Sequence, residues 1–176
     1  MKRVLLSTIL LWTLCLSLQA KTPPLTLRVP DDRVYSAESI IWTSRIGIGL
    51  QATKPTAKTG EEEVIWRLVI RFHQDWPIGI REDSDFLTLT LFDNTQLKLR
   101  PAFNVGQPYA VLSPGYAYKA FYTVSQEQME KLINSGVAGI SLANTLGTYD
   151  RSFKKDKIGQ ALNEMRPVIE AAINEL

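Results

Sequence analysis

Histidine and carboxylate chemistry in this chain rests on one pair of residues. The sequence contains a single histidine, His73, and Asp75 lies two positions after it. Hydrolysis by such a pair needs a hydroxyl that the imidazole polarises and the carboxylate orients, but no Gly-x-Ser-x-Gly elbow is present to expose a serine. We therefore favour a solvated histidine at a strand end. A cofactor-free hydrolase that uses His73 and nearby carboxylates is the alternative.

The cofactor and metal motifs are incomplete. Gly47–Ala52 spells G-x-G-x-x-A after a strand-like run, but a dinucleotide site needs a helix directly afterwards, and Pro55 and Gly60 follow instead. These glycines are more typical of a bulge or of close packing in a sheet. The acidic runs 61–63 and 82–85 lack the spacing of a calcium loop. The sequence thus predicts no cofactor, no metal site and no catalytic residue.

The first twenty residues have the order of a secretory signal peptide. Lys2 and Arg3 precede the mostly apolar run Val4–Leu18, and Ala20 supplies a small residue before the mature chain. An apolar run of this length is short for a membrane span. The sequence therefore predicts loss of residues 1–20, one mature domain at 21–176 without a transmembrane segment, and a periplasmic or extracellular location.

Removal of this leader changes the chemistry available to the chain. The sole cysteine, Cys15, leaves with it, which excludes disulfides, thiolate catalysis and cysteine-ligated metals in the mature chain. A lipid anchor on Cys15 is the competing interpretation, although bulky residues precede it where a lipoprotein signal needs a small one. Two of the twenty basic residues and none of the eighteen acidic ones are lost, so the mature net charge is zero and we expect no nucleic-acid partner.

A set of basic residues recurs at strand-like spacing. We expect these side chains to point outward from neighbouring strands and to line one sheet surface: Arg45, Arg67, Arg71 with His73, Lys98 and Arg100. Such a surface would suit an anionic polymer or lipid headgroups. The competing interpretation, which zero net charge favours, is an ordinary wet sheet face balanced by carboxylates from loops. Arg67 and Arg71 are included among the candidate ligand-binding residues.

Aromatic residues cluster around a long proline-rich segment. Residues 101–115 contain three prolines and show no periodic pattern, and ordered segments of this length are often functional. Tyrosine and tryptophan offer flat contact area with a polar edge. We therefore predict a recognition surface made of Tyr109, Tyr116, Tyr118 and Trp76. The alternative is that segment 101–115 covers a sheet edge and that the tyrosines pack under a helix.

Hydrophobic alternation predicts the strands that must position these residues. Period-two patterns occur at Leu25–Val29, Ile40–Leu50, Val64–His73, Asp85–Phe92, Gln96–Arg100, Tyr116–Val124 and Val137–Ala143. Turn residues at 93–95 predict a hairpin, and residues 51–63 have the composition of a loop. Apolar neighbours on the same face of Val64–His73 predict that Trp66 is buried.

Two helices complete the predicted fold. Ser125 and Gln128 form a capping box for a short helix that ends at Gly136. Residues 152–176 have apolar side chains at helical spacing, and Pro167 predicts a kink or two consecutive helices. The predicted class is α+β, a mainly antiparallel β-sheet (sandwich-like or single) with a short capped helix and a C-terminal helix packed on it.

The expected function follows mainly from the chemical groups that the mature chain lacks. Without a metal set, a mature cysteine or a catalytic motif, the chain is expected to be an exported, non-catalytic binding or cell-envelope-associated domain. A glycan, a peptide or an envelope protein is the candidate partner.

Overall fold

The structure is a computed structural model that describes residues 25–28, 33–41, 46–55, 63–106, 108 and 115–175. The expected signal peptide, Arg45 and Tyr109 lie outside these residues. Predictions that depend on them therefore stay predictions.

The described residues form nine strands and two helices. In chain order these are β1 (Leu25–Arg28), β2 (Arg33–Ile41), β3 (Ile46–Lys54), β4 (Ile65–Gln74), β5 (Leu87–Leu91), β6 (Gln96–Leu99), β7 (Tyr116–Thr123), α1 (Gln126–Ser135), β8 (Val137–Asn144), β9 (Gly147–Ser152) and α2 (Ile158–Asn174). Strands dominate and a helix closes the chain, so the predicted α+β class is confirmed.

The strands are arranged in two antiparallel sheets. One has the order β1-β2-β3-β4-β7 and the other the order β6-β5-β8-β9. Backbone hydrogen bonds join the two sheets at one corner, where Ala102 N donates to Phe121 O at 2.7 Å and Thr123 N donates to Arg100 O at 3.3 Å. The predicted hairpin is confirmed as the β5–β6 pair.

One hydrophobic core draws on both sheets and both helices. Alternation along β4 places Leu68, Ile70 and Phe72 in this core. The buried side of α2, which includes Met165 and Ile169, packs across β2 and β3. The face of the five-stranded sheet that carries these core residues is called the inner face below, and the opposite face the outer face.

The prediction of one strand over Ile40–Leu50 is wrong. Its two halves belong to β2 and β3, which pair antiparallel with Ile41 opposite Ile46. β3 also continues through Lys54, into the stretch expected to be a loop. β2 and β3 each pair on two sides, so ladder hydrogen bonds in the middle of the sheet outweigh the weak alternation of these sequences.

The C-terminal helix begins later than its apolar spacing predicts. Residues 147–152 form the edge strand β9, whose side chains are mostly exposed and so give no alternation signal. α2 starts at Ile158, just after Asp156. Asp156 Oδ1 accepts hydrogen bonds from Gly159 N at 2.8 Å and from Val137 N at 3.0 Å, and so links the first turn of α2 to β8.

Pro167 does not divide the C-terminal helix. α2 is one helix across this proline, so the alternative of two consecutive helices is wrong. Met165, Ile169 and Ile173 lie on either side of it and are buried in the core. Their packing outweighs the hydrogen bond that a proline removes from a helix interior.

Candidate binding cleft

A cleft of about 820 Å³ opens where the first residue of β4 meets the end of β7. The start of α1 and the end of α2 form its other walls. The cleft, called the Trp66 cleft below, is lined by Glu63, Val64, Ile65, Trp66, Thr123, Val124, Ser125, Gln126, Gln128, Glu170, Ile173 and Asn174. Its volume falls within the range of small-molecule sites, roughly 300–1,000 Å³.

Trp66 forms the apolar wall of this cleft. It packs against the hydrophobic core but is only half-buried, so the prediction that it is buried is only partly met. The reason is its position near the end of β4. Its carbonyl accepts a hydrogen bond from Val124 N at 3.1 Å, just where the chain leaves β7 for α1, and its side chain lines the cleft.

The predicted capping box is confirmed, and it supplies polar groups to the cleft. Ser125 Oγ accepts from Gln128 N at 3.1 Å, and Gln128 Oε1 accepts from Ser125 N at 2.9 Å. These bonds use one acceptor on each side chain. The Ser125 hydroxyl hydrogen and the Gln128 amide hydrogens remain available as donors, so a structural cap also faces the cleft with unused hydrogen-bonding capacity.

The charge of the cleft is negative. Glu63 and Glu170 are its charged lining residues, and the described lining contains no lysine, arginine or histidine. Glu170 accepts a hydrogen bond from Arg166 Nε at 2.7 Å, which partly neutralises it. Gln126 and Asn174 add amides at exposed positions. This lining suits a neutral or cationic ligand better than an anionic one.

The aromatic residues predicted for recognition lie at the opposite end of β4 and β7. Trp76 is 72% exposed and Tyr116 is 37% exposed, and Tyr116 pairs with Gln74 at the end of β4. Tyr118 is fully buried. Its hydroxyl accepts from Ile78 N at 2.9 Å, and its ring stacks on the Phe72 ring at 5.6 Å, so it is a core residue and cannot contact a surface ligand.

The predicted basic surface is only partly assembled. Arg67, Arg71 and His73 lie on the outer face of β4, but Lys98 and Arg100 lie on or just after β6 in the other sheet. The prediction that these basic residues share one sheet face is therefore wrong for Lys98 and Arg100. Arg67 Nη1 donates to Thr53 Oγ1 on β3 at 2.7 Å, and Arg71 is half-buried.

The residues considered for hydrolysis are not organised as a triad. His73 Nε2 is buried without a hydrogen-bond partner, its ring edge lies against Gly115, and Asp75 is exposed. In the part of the chain that the structure describes, no side-chain hydrogen bond joins His73 to Asp75. This arrangement shows no histidine held by an orienting carboxylate, as a Ser-His-Asp triad requires.

The remaining sequence motifs have structural roles. The G-x-G-x-x-A stretch lies inside β3, and the next element among the described residues is the strand β4. Asp85, in the acidic run considered for calcium, is 3% exposed and accepts hydrogen bonds from Arg81 N at 2.8 Å and from Arg81 Nη2 at 3.2 Å. Among the described residues, no three metal-ligating side chains come together.

Comparison with known proteins adds no assignment. No protein-family model, no curated protein and no solved structure matches the chain. Of the helices in the described ranges, none is long and apolar enough to cross a membrane.

Proposed function

We propose that this protein is a non-catalytic binding domain and that its ligand, a neutral glycan, occupies the Trp66 cleft. The observation that carries the proposal is a partly exposed indole beside side chains that keep unused hydrogen-bond donors and acceptors. Sites for small ligands combine an apolar wall with a few convergent polar groups in this way.

The chemistry of the lining favours a sugar. An indole presents a flat apolar surface of the kind that the C–H face of a pyranose covers. Sugar hydroxyls both donate and accept, and the lining offers both functions: Gln126 and Gln128 amides, the Ser125 hydroxyl and the carboxylates of Glu63 and Glu170. A phosphorylated or otherwise anionic ligand would meet these carboxylates without a cation in the described lining to balance it.

Export and envelope association are part of the same proposal. They are supported by the basic, apolar and small-residue order of residues 1–20 and by the absence of cysteine from residues 21–176. Mature protein should begin near Lys21 and be recovered outside the cytoplasm. An intact leader on membrane-extracted protein would instead indicate an anchor.

The cofactor-free hydrolase remains the competing function. It would use His73, which lies toward the far end of β4 from the Trp66 cleft. A hydrolase would show pH-dependent turnover of ester, peptide or glycoside substrates that His73→Ala abolishes. A binding domain would show only stabilisation by its ligand.

The test of the binding proposal is a thermal-shift screen of residues 21–176 with neutral oligosaccharides: maltohexaose, cellohexaose and chitohexaose. Calorimetric titration of any sugar that raises the melting temperature follows. We expect Trp66→Ala to weaken sugar binding at least 10-fold, since a few aromatic residues often supply most of the binding energy of a site. Trp76→Ala should leave sugar binding unchanged.

Two further variants separate recognition from folding. Gln126 and Asn174 are exposed, so Gln126→Ala and Asn174→Ala should weaken sugar binding without lowering the melting temperature. Equal sugar affinity in the wild type and in all three cleft variants would contradict the proposal. Stabilisation by short peptides alone would replace the glycan with a peptide.

A further inference from the structure

Two highly exposed apolar side chains lie on neighbouring loops beyond the end of β4. Trp76 is 72% exposed, and Leu146, in the turn between β8 and β9, is 67% exposed. Two hydrogen bonds join these loops: Gly79 N donates to Thr145 Oγ1 and Thr145 N donates to Gly79 O, each at 2.9 Å. Trp76, Leu146 and the exposed Pro77 are called the Trp76 tip below.

The backbone amides of these two loops already have partners within the protein. Pro77 has no N–H group, and the N–H groups of residues 78, 79, 80, 145 and 146 are all hydrogen-bonded to other groups of the chain. An unpaired backbone N–H is costly to place in an apolar phase. At these positions the loops can therefore lie against an apolar phase without giving up a hydrogen bond to water.

The two loops carry little charge. Residues 74–80 and 144–148 contain one charged side chain, the exposed Asp75, and no lysine or arginine. An anionic surface would therefore gain no attraction from these segments. The Asp75 carboxylate beside Trp76 also resists transfer out of water. This composition favours an uncharged partner that buries the apolar side chains shallowly and leaves Asp75 hydrated.

The area of the Trp76 tip indicates which uncharged partner fits. Its three side chains expose on the order of 350 Å², less than half of the roughly 800 Å² that each partner buries in a stable protein interface. Binding to a bilayer has no such minimum and grows with whatever apolar area is buried. Tryptophan and tyrosine are enriched at the boundary between headgroups and hydrocarbon, and the partly exposed Tyr116 lies at the same end of β4, opposite Gln74.

We propose that the Trp76 tip inserts into the interfacial region of an uncharged phospholipid bilayer, with Trp76 and Leu146 at the level of the headgroups and upper acyl chains. A polar soluble ligand needs hydrogen-bonding groups that the protein has left available, whereas a bilayer needs only the apolar surface. Eight residues of extended strand, about 26 Å, separate Trp66 from the end of β4 at Gln74. The membrane contact is therefore distinct from the Trp66 cleft, and its test does not depend on sugar binding.

The test is sedimentation of residues 21–176 with phosphatidylcholine vesicles. This part of the chain contains every residue that the structure describes and omits the apolar run 4–18, which could itself bind lipid. We expect the wild type to bind and the binding to persist in about 0.5 M salt, because screening does not weaken an apolar contact. Absence of binding would overturn the proposal, and so would binding that requires phosphatidylglycerol and is lost at high salt.

Variants of the tip test which residues make the contact. Trp76→Ala should weaken vesicle binding about 10-fold and Leu146→Ser severalfold, since affinity follows the apolar area that is buried. The matched control is Phe92→Ala. Phe92 is 45% exposed, and its N–H bonds Gly136 O at the opposite end of β8 from Leu146, so this variant should bind vesicles like the wild type. Equal losses in Phe92→Ala and Trp76→Ala would overturn the proposal.

A variant with the opposite effect and a stability control complete the test. Asp75→Asn removes the charge beside Trp76 and should strengthen vesicle binding about threefold, because the neutral amide enters the interface more easily. None of the tip variants should lower the melting temperature by more than about 2 °C, since the side chains are exposed. A large fall in Trp76→Ala with vesicle binding retained would show that the indole packs on the protein itself and would overturn the proposal.

Discussion

β4 has a tryptophan near each end, and the two ends are built differently. At Trp66 the structure relies on packing, and the polar side chains around the indole keep unused hydrogen-bonding capacity. Beyond the other end, at Trp76, the loop is held by hydrogen bonds: Tyr118 accepts from Ile78 N, and Thr145 both donates to and accepts from Gly79. These backbone groups of the loop therefore already have hydrogen-bond partners within the protein.

The comparison shows that exposure of an aromatic residue does not by itself define a binding site. Trp76 is far more exposed than Trp66, but the described groups around Trp76 bind one another. A ligand needs partners that the fold has left available, and the Trp66 cleft offers them. The following predictions test this difference, from the largest expected effect to the smallest.

The largest loss of stability is expected from Asp85→Asn. The Asp85 carboxylate closes the loop that follows Trp76 and accepts from the Arg81 backbone, the Arg81 guanidinium and the Ser84 hydroxyl. Because hydrogen bonds to a buried charge are strong, urea denaturation should show a loss of about 3 kcal/mol. Exposed Asp83→Asn is the control, and a loss as large in that variant would refute the assignment.

The same carboxylate should make the fold sensitive to acid. Burial by itself raises the pKa of Asp85, but the hydrogen bonds from Arg81 and Ser84 outweigh it and hold the pKa below its usual 3.8. A lowered folded-state pKa stabilises the protein above the unfolded-state value, and this contribution disappears as pH falls through the folded-state value. Stability measured from about pH 6 down to pH 2 should therefore fall more steeply in the wild type than in Asp85→Asn.

Trp66→Ala should cost about 2 kcal/mol of stability, less than the loss from a fully buried tryptophan because part of the indole already contacts solvent. Thermal and urea unfolding of the wild type and of Trp66→Ala measure this loss of stability. A loss below about 0.5 kcal/mol would mean that the indole barely packs on the core, and the contrast with Trp76 would then disappear.

Tyr118→Phe should cost about 1 kcal/mol and act at the Trp76 end alone. Removal of the hydroxyl leaves the buried Ile78 N–H without its acceptor, while the Phe72–Tyr118 stacking persists. Hydrogen exchange should quicken at residues 76–80 and stay unchanged around Trp66. Faster exchange at Trp66 as well would show that the two ends are coupled.

Trp76→Ala should change stability by less than about 0.5 kcal/mol, because an exposed side chain away from the core contributes little. The measurement is the melting temperature, compared with that of Trp66→Ala. A clear destabilisation would show that Trp76 packs on a part of the chain outside the described ranges.

Local patterns accounted for most of the elements. Uninterrupted alternation at 64–73 and 116–124 predicted β4 and β7, the Asp93–Thr95 turn predicted the β5–β6 hairpin, and Ser125 with Gln128 predicted the start of α1. Each of these signals lies within about ten consecutive residues. The order of apolar and polar residues within such a short window is enough to predict the element.

The sequence was a poor guide wherever a distant partner decided the outcome. β2 and β9 have weak alternation and become strands because β3 and β8 lie beside them. Trp66 belongs to a strongly apolar strand face, but it is only partly buried because it lines the cleft where β4, β7 and the two helices meet. Tyr118 has the composition of a recognition residue, but its position beneath Ile78 makes it part of the core.

The amino-acid sequence by itself determined the class of fold, the hairpin and the capped helix, because composition and short-range periodicity set these properties. The tertiary structure decided where the candidate site lies. The Trp66 cleft joins residues 63–66, 123–128 and 170–174, and no local pattern records that these three segments meet. Their meeting depends on the register of β4 with β7 and on where α2 ends, which are settled only when the core packs.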